Sequence, residues 1–563
     1  MKVVIVGGVA GGATAAARLR RLDEGAEIVL LERGDYISYA NCGLPYYIGG
    51  EITDKRDLTL QTPKSFFNRF RIDVRVGNEA LAIDPAQKTV SVRRVATGET
   101  YTEHYDKLIL SPGAEPVRPQ LPGVDDPRIF TLRTIPDTLK IREQVVKSQV
   151  KTAVVVGGGS IGVEMAESLI NVGLDVTLVS HGDHVIAPLD YDMACDIHHY
   201  IRSKGIHLLL KTGVDGFETA GDKLGVLLTG GKVCVDVVIL AIGVKPDSKL
   251  ASDAGLSCDG KGAILVNDRM ETSHEDIYAV GDAIKIVNFV TGQPGYVALA
   301  GPANKQGRIA ADNICGIPSV FRGTQGSAVW KLFDMSIAVT GLNETGAKAA
   351  GIDYDKVYTF SPSHASYYPG ASNMSIKLIF EKGTGRILGG QIVGFDGVDK
   401  RCDVLATALR SHLTVSDLTQ LELCYAPPFS SAKDPVNMAG FVAENVMTGK
   451  LRQYFWQDVA ALANRSDITR LDVRTKGEYA QGHIADTVNI PLDSLRENLE
   501  GLDKSKPLYV NCHSGLRSYL ACRILTQNGF DCYNLAGGYR LYESATRDIP
   551  FDGTPKHACG INI

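Results

Sequence analysis

The feature that most constrains this chain is a strand-glycine-helix turn that occurs twice, at VVIVGGVAGGATAAARL near Gly7 and at VVVGGGSIGVEMAE near Gly157. Glycines between a buried strand and a helix let bare backbone approach a pyrophosphate seated on the helix N-terminus. The second turn carries a full Gly-x-Gly-x-x-Gly at Gly157, Gly159 and Gly162. The first offers Gly7, Gly8 and Gly12 but has Val9 at the middle glycine, and Glu32, ending the strand EIVLLE, supplies the ribose acceptor that completes the pattern. Two dinucleotide sites are therefore expected in one polypeptide.

A chain of 563 residues exceeds what one hydrophobic core supports. Short apolar runs alternate with helical patterns over the first three hundred residues (VVIVG, EIVLLE, KLILSPG, AVVVGGG, DVTLVS, VVILAIG, IYAVGD) and predict buried parallel strands in doubly wound layers. From about Ser327 the pattern changes to antiparallel strands such as SIKLIF and GQIVGF, and NVMTGKLRQYFW reads as a linker into a last compact α/β unit. The expected fold is α/β throughout: two Rossmann-like nucleotide-binding domains, an α+β domain and a C-terminal α/β domain. The boundaries are 1–115 and 246–325 for the first nucleotide domain, 116–245 for the inserted second, 326–445 for the α+β domain, 446–456 for the linker, 457–552 for the last domain and 553–563 for a tail.

A net charge of −5 gives no bulk attraction to nucleic acid or anionic membrane, so neither partner is expected and the substrates are small. The N-terminal apolar run is too short for a signal peptide and no stretch reaches transmembrane length, which predicts a cytoplasmic enzyme. Eleven scattered cysteines lack the rhythm of a disulfide scaffold, and most are expected to be reduced packing residues. No metal site is expected.

The two glycine turns, with SPGAEP, AIGVKP and ETSHEDIYAVGDA, make the first 445 residues resemble the two-dinucleotide disulfide reductases. That resemblance implies FAD at the first turn, with Asp282 on its ribityl or pyrophosphate portion, and NADH or NADPH at the second. Ser180 and His181 end the strand that would select between the coenzymes, with neither an acid nor an arginine there, and the reading leans to NADH.

Cys42 lies in SYANCGLPYYIGG, and the next cysteine is Cys195, so no internal redox pair exists. The Ser-Tyr-x-x-Cys-Gly pattern resembles coenzyme A disulfide reductases and the single-cysteine NADH oxidases and peroxidases. The chemistry requires a thiolate that attacks a substrate disulfide, and a helix N-terminus or a flavin contact is expected to lower its pKa. Ala10 stands where the oxidases and peroxidases carry histidine, which favours sulfur chemistry and leaves the oxidase or peroxidase reading as the alternative.

HASYYPGAS and YAPPFSSAKDPVN resemble coenzyme A reductase segments, and this implies proton donation or sulfur contact by Tyr367 (or Tyr368) and Tyr425 to the partner's cysteine in a homodimer. Candidate contacts to coenzyme A are Ser38, Asn41, Arg18, Arg21, Gln61 and Asn304 with Lys305.

In the last domain PLYVNCHSGLRS places four residues between Cys512 and Arg517 after a strand. A loop this tight suits a persulfide rather than a phosphate, its amides and Arg517 converging on the sulfur. With LDVRTKGEYAQGHI and NLAGGYR it resembles a single rhodanese domain, in which Asp472, Arg474 and Glu478 fall at framework positions. The combined reading is reduction, by NADH or NADPH through FAD, of coenzyme A disulfide, coenzyme A persulfide or low-molecular-weight persulfides and polysulfides. Cys532 and Cys559 fall in no motif.

Overall fold

The computed structural model describes residues 1–547; Cys559 and the 553–563 tail lie outside the described residues. The chain forms two units, one of residues 1–182 and 206–326, the other of residues 183–205 and 327 onward.

The first unit holds both dinucleotide sheets. One has five parallel strands in the order Ile277–Ala279, Lys107–Leu110, Lys2–Val6, Glu27–Glu32, Asp73–Val76. The other has the order His207–Leu209, Asp175–Val179, Thr152–Val156, Val237–Leu240, Ile129–Thr131. Their central strands are apolar on both faces, as the β-branched runs predict, but helices cover only one. Against the other packs a three-stranded antiparallel sheet, Asn78–Asp84, Thr89–Arg94 and Thr100–His104 in the first case and Val214–Ala220, Lys223–Leu228 and Gly231–Val235 in the second. In both sheets the two central strands end at the same edge, and each glycine turn opens there.

The second unit opens with a five-stranded antiparallel sheet, Ala328–Leu332, Met335–Gly341, Ile387–Gly394, Asn373–Glu381 and Tyr354–Pro362 in spatial order. A five-stranded parallel sheet follows, in the order Gln453–Tyr454, Cys532–Leu535, Leu508–Asn511, Thr469–Asp472, Val488–Asn489.

Two boundaries differ from the expectation. The 446–456 stretch is structured: the Pro435–Met447 helix runs into it, and Gln453–Tyr454 is the edge strand of the last sheet. Polar residues around a two-residue strand leave no period for sequence inspection to detect. Residues 183–205, inside the expected 116–245 insert, belong to the second unit.

Side chains explain that second difference. The helix Tyr191–Ser203 carries Asp192, which with Asp190 and Glu344 surrounds the fully buried Lys377 Nζ at 2.8, 2.8 and 2.6 Å. Gln391 also donates to Asp190 (2.6 Å), Tyr358 to Asp192 (2.6 Å) and Lys356 to Glu344 (2.6 Å). Three carboxylates this close could in principle hold a cation, and the Lys377 ammonium fills that role. Farther along the helix, Asp196 accepts from Arg540 (2.9 Å) and Ser544 (2.7 Å) of the last helix, Gly538–Thr546. Trp456 Nε1 donates to Asp192 at 3.3 Å. The C-terminal domain is thus bonded to this helix from two sides.

Candidate active sites

The two glycine turns share one geometry. Gly7 and Gly157 have φ of +97° and +116°, and a Cβ on either would lie 2.0 Å from Ser111 O or 2.3 Å from Ala241 O. A Cβ on Gly12 or Gly162 would lie 1.9 or 1.8 Å from the carbonyl of that same turn glycine, so only glycine lets the helix close on the turn. Val9 and Gly159 both occupy the N-cap with negative φ, which explains why the first turn tolerates valine. A Cβ on Gly159 would meet only open space, room that a ligand can use.

Neither helix has a side-chain cap or an acid in its first turn, so its orphan N–H groups are left for an anion. Glu32 accepts from Gly8 N (2.9 Å) and Gly34 N (2.8 Å), which fixes its carboxylate at the rim of the first turn. Asp282 is half-buried, and burial pushes its carboxyl up against the pull of Arg133. No side-chain hydrogen bond to that carboxylate occurs among the described residues. These features fit FAD at the first turn and a nicotinamide dinucleotide at the second.

At the coenzyme-selecting position the strand ends at Val179, followed by Ser180 and His181. The next strand brings Lys211 alongside: its N–H donates to Gly182 O at 2.8 Å, and its side chain is exposed. Lys211 is a cation that reading this one strand misses, because it arrives thirty residues later through parallel pairing.

Cys42 lies in a single turn, Asn41–Gly43, leading into the six-residue helix Leu44–Gly49, and is exposed. Its thiol is shifted in the opposite direction to the expectation. Crowding around the sulfur pushes it up, and Glu164 and Asp282 add repulsion. The turn presents no cation, and a six-residue helix is a weak dipole. Glu164, on the helix of the second glycine turn, is itself raised to about 7 by burial, with Glu167 adding to the shift. Its place four residues from Ser160 gave no signal in the sequence beyond helix periodicity.

The neighbouring candidates divide. Ser38 holds φ +44° with its N–H bonded to Gly8 O (2.8 Å), which ties the Cys42 loop to the first glycine turn. Asn41 Oδ1 is buried without a hydrogen-bond partner. Arg18 is paired with Asp312 through Nε at 2.7 Å, an engagement that competes with any phosphate. Arg21, Asn304 and Lys305 are exposed; Asn304 accepts from Thr14 (2.7 Å) and Gln61 from Ser65 (2.8 Å).

In the second unit Tyr367 and Tyr425 meet, hydroxyl to hydroxyl, at 3.0 Å, although 58 residues apart in sequence. Tyr368 instead packs edge-to-face with His364. Tyr367 and Phe429 are 75 % and 70 % exposed, an aromatic surface unusual for an isolated chain.

Cys512 is fully buried at the end of Leu508–Asn511, and its sulfur accepts from Gly515 N (3.1 Å) and Ser518 Oγ (3.2 Å). Gly515 has φ +97°, the left-handed turn that swings the loop into the next helix. Arg517 is held in a two-pronged pair by Glu478 at 2.8 and 2.6 Å. Burial raises the Glu478 carboxyl, but hydrogen bonds from Arg517 and Thr475 overcome it and hold it at about 2. Glu478 therefore orients the loop arginine, a closer role than a framework position. Asp472 and Arg474 form their own buried pair at 2.7 Å, as framework residues do.

Comparison with known proteins agrees with this geometry. The family described as pyridine nucleotide-disulphide oxidoreductase matches residues 1–307, its dimerisation domain residues 327–435, and the rhodanese-like domain residues 456–545. A coenzyme A disulfide reductase of Staphylococcus haemolyticus is 37 % identical over 446 residues, 79 % of this chain and all of the relative. The reduced CoADR-RHD of Bacillus anthracis is 47 % identical with a TM-score of 0.95, covering 97 % of this chain and 98 % of the other. An NAD-dependent persulfide reductase from A. fulgidus is 38 % identical with a TM-score of 0.90, covering 96 % and 100 %.

Proposed function

The chain belongs to the pyridine nucleotide-disulphide oxidoreductase family, and on that premise we propose that it reduces coenzyme A disulfide, coenzyme A persulfide and related polysulfides with NADH or NADPH. The observation that carries the reading is Cys42: an exposed thiol in a loop tied to the first glycine turn, with no second cysteine in that loop and no disulfide among the described residues. A lone cysteine passes its electron pair to an external group, sulfur or oxygen, and Ala10 favours sulfur.

Bound FAD supplies the passage of an electron pair from the nicotinamide to sulfur. Gly7, Gly8, Gly12, Glu32 and Asp282 would hold it, and Gly157, Gly159 and Gly162 would hold the nicotinamide coenzyme. Cys42 attacks one sulfur of the substrate, forming a mixed disulfide and releasing the other half as a thiolate. Asn41, with its buried and unpartnered Oδ1, and Ser38 position the loop around that sulfur. Burial, with added repulsion from Glu164 and Asp282, disfavours charge on Cys42, and a mixed disulfide leaves that sulfur uncharged.

The exposed aromatic surface and the dimerisation domain support a homodimer, in which Tyr367 and Tyr425 reach the partner subunit's Cys42. One phenol donates to the other, so the outer hydroxyl is polarised to protonate a leaving thiolate. Tyr425→Phe is expected to lower kcat for coenzyme A disulfide roughly 10- to 100-fold, the range of a lost general acid, with little change in KM; steady-state kinetics check this.

Coenzyme choice turns on Lys211. An ammonium facing a 2′-phosphate is worth about 1.5–3 kcal/mol as a charge-assisted hydrogen bond. Lys211→Ala should therefore lower kcat/KM for NADPH about tenfold or more and leave NADH nearly unchanged.

Cys512, with Gly515 N–H and Ser518 Oγ–H on its sulfur and Arg517 beside it, accepts a sulfane sulfur as a persulfide. Cys512→Ser is the test of the fused function: turnover of polysulfide should fall while reduction of coenzyme A disulfide is retained. Equal loss on both substrates contradicts the division of labour. Ala10 disfavours the oxidase or peroxidase reading, which would show rapid NADH consumption with oxygen or peroxide alone. The enzyme is proposed to be cytoplasmic; among the described residues no helix is long and apolar enough to cross a membrane.

A further inference from the structure

Two cysteines of the C-terminal domain have no part in the chemistry described so far. Cys522 lies on the helix Leu516–Gln527 that follows the Cys512 loop, and Cys532 is the first residue of the strand Cys532–Leu535. Both are 3 % exposed and share one core cluster with Cys512. Cysteines at such positions are commonly inert small hydrophobes. Three observations set this pair apart.

The two thiols are near enough that each is the largest influence on the other's acidity. Cys532 Sγ also lies 3.1 Å from Thr526 Oγ1 and 3.4 Å from Cys522 O, so polar groups of a single helix gather around one sulfur in an otherwise apolar core. The pair is also asymmetric: the hydrogen bond from Cys522 brings Cys532 down to about 7, against burial and with help from Thr526, while Cys522 is pushed up by that same bond and by burial. Of the two, Cys532 is the more readily ionised and so the nucleophile.

The pair is also linked to the persulfide loop. Ser518, whose hydroxyl donates to Cys512 Sγ, is one turn before Cys522 on the same helix face, a spacing of about 6 Å. Leu508, at the start of the strand that delivers Cys512, is the direct neighbour of Cys532 across the sheet.

We propose that Cys522 and Cys532 are a second redox site, a dithiol that closes to an intradomain disulfide by consuming a sulfane sulfur. The Cys532 thiolate attacks the outer sulfur of a persulfide or polysulfide, R–S–SH. The S–S bond breaks, R–S⁻ leaves, and Cys532 carries the sulfur as a persulfide. Cys522 loses its proton and attacks Cys532 Sγ, forming the Cys522–Cys532 bond and expelling HS⁻. The sulfane sulfur takes up two electrons and the two thiols supply them, so no other oxidant is needed. The sulfane sulfur can come from Cys512, which rests on the rhodanese reading above, or directly from free polysulfide, which does not.

The test uses the full-length FAD-loaded protein, reduced, freed of reductant and exposed anaerobically to inorganic polysulfide, then acid-quenched and alkylated. Cleavage after Arg517, Arg523 and Arg540 places the two cysteines on peptides 518–523 and 524–540. The expected result is a disulfide joining these peptides, replaced in Cys522→Ser by a persulfide on Cys532. If both cysteines of the wild type are recovered alkylated as free thiols while Cys512 carries a persulfide, the proposal is overturned, with the rhodanese reading left standing. The wild-type readout does not depend on how a variant folds. In Cys512→Ser, loss of the linkage identifies Cys512 as the donor, and retention identifies free polysulfide.

Discussion

Cys42→Ser should eliminate reduction of coenzyme A disulfide and of polysulfide, a loss of roughly a thousandfold or more, the scale seen when a nucleophile is removed. FAD content and the reduction of an artificial electron acceptor such as ferricyanide by NADH or NADPH should be unaffected. A serine hydroxyl is not ionised near neutral pH and cannot enter thiol–disulfide exchange, in which attacking and leaving atoms are both sulfur. The two dinucleotide turns do not depend on residue 42: their closure relies on Gly7, Gly12, Gly157 and Gly162 against backbone carbonyls. Retained acceptor reduction with lost sulfur chemistry would place the defect at the sulfur. Simultaneous loss of both would mean that the substitution disturbs the flavin site.

The second large effect is on stability. Lys377 is fully buried among Asp190, Asp192 and Glu344, and removing one partner of such a cluster leaves uncompensated charge in a medium of low polarisability. Lys377→Met is expected to destabilise the second unit by about 3–5 kcal/mol, a fall of its melting transition on the order of 10 °C. Adding Asp192→Asn and Glu344→Gln should restore part of the loss, since two of the three carboxylates that made the ammonium necessary are then neutral. Differential scanning calorimetry of the single and triple variants checks both statements.

The same cluster sets an acid limit. Burial alone would raise Glu344, but Lys377 and Lys356 hold it at about 2. A carboxyl whose folded pKa lies below its unfolded value stabilises the protein fully above about pH 4.5, the ordinary range of glutamate. That contribution drains away as pH falls toward 2.

How much of this was legible in the sequence depends on the range of the interaction. The strands flanking each glycine turn announced themselves because a parallel strand covered on both faces must be apolar along its whole length. Gly7, Gly12, Gly157 and Gly162 were legible because no other residue fits beneath the turn carbonyls. Cys42 and the Cys512–Arg517 loop were readable because the chemistry needs contiguous residues. Contacts between distant segments were not. Roles for Tyr367 and Tyr425 could be expected only through resemblance, their hydroxyl contact not at all, and nothing local told Tyr367 from Tyr368. Lys211 reaches the coenzyme-selecting turn through strand pairing, Glu478 meets Arg517 across 39 residues, and the assignment of residues 183–205 to the second unit rests on Lys377 and Arg540. The direction of the Cys42 shift follows from burial of the sulfur in the fold, with added repulsion from Glu164 and Asp282, both over a hundred residues away, and none of these is visible in the local sequence.

The central claim is that Cys42 exchanges sulfur with an external thiol and stores the oxidised state as a mixed disulfide. Its most direct test is to denature the oxidised, FAD-containing protein in acid without reductant and weigh the peptide containing Cys42. An increase equal to one disulfide-linked coenzyme A, released by NADH or NADPH before denaturation, is the predicted result. An unmodified Cys42, or one carrying only added oxygen, would contradict it.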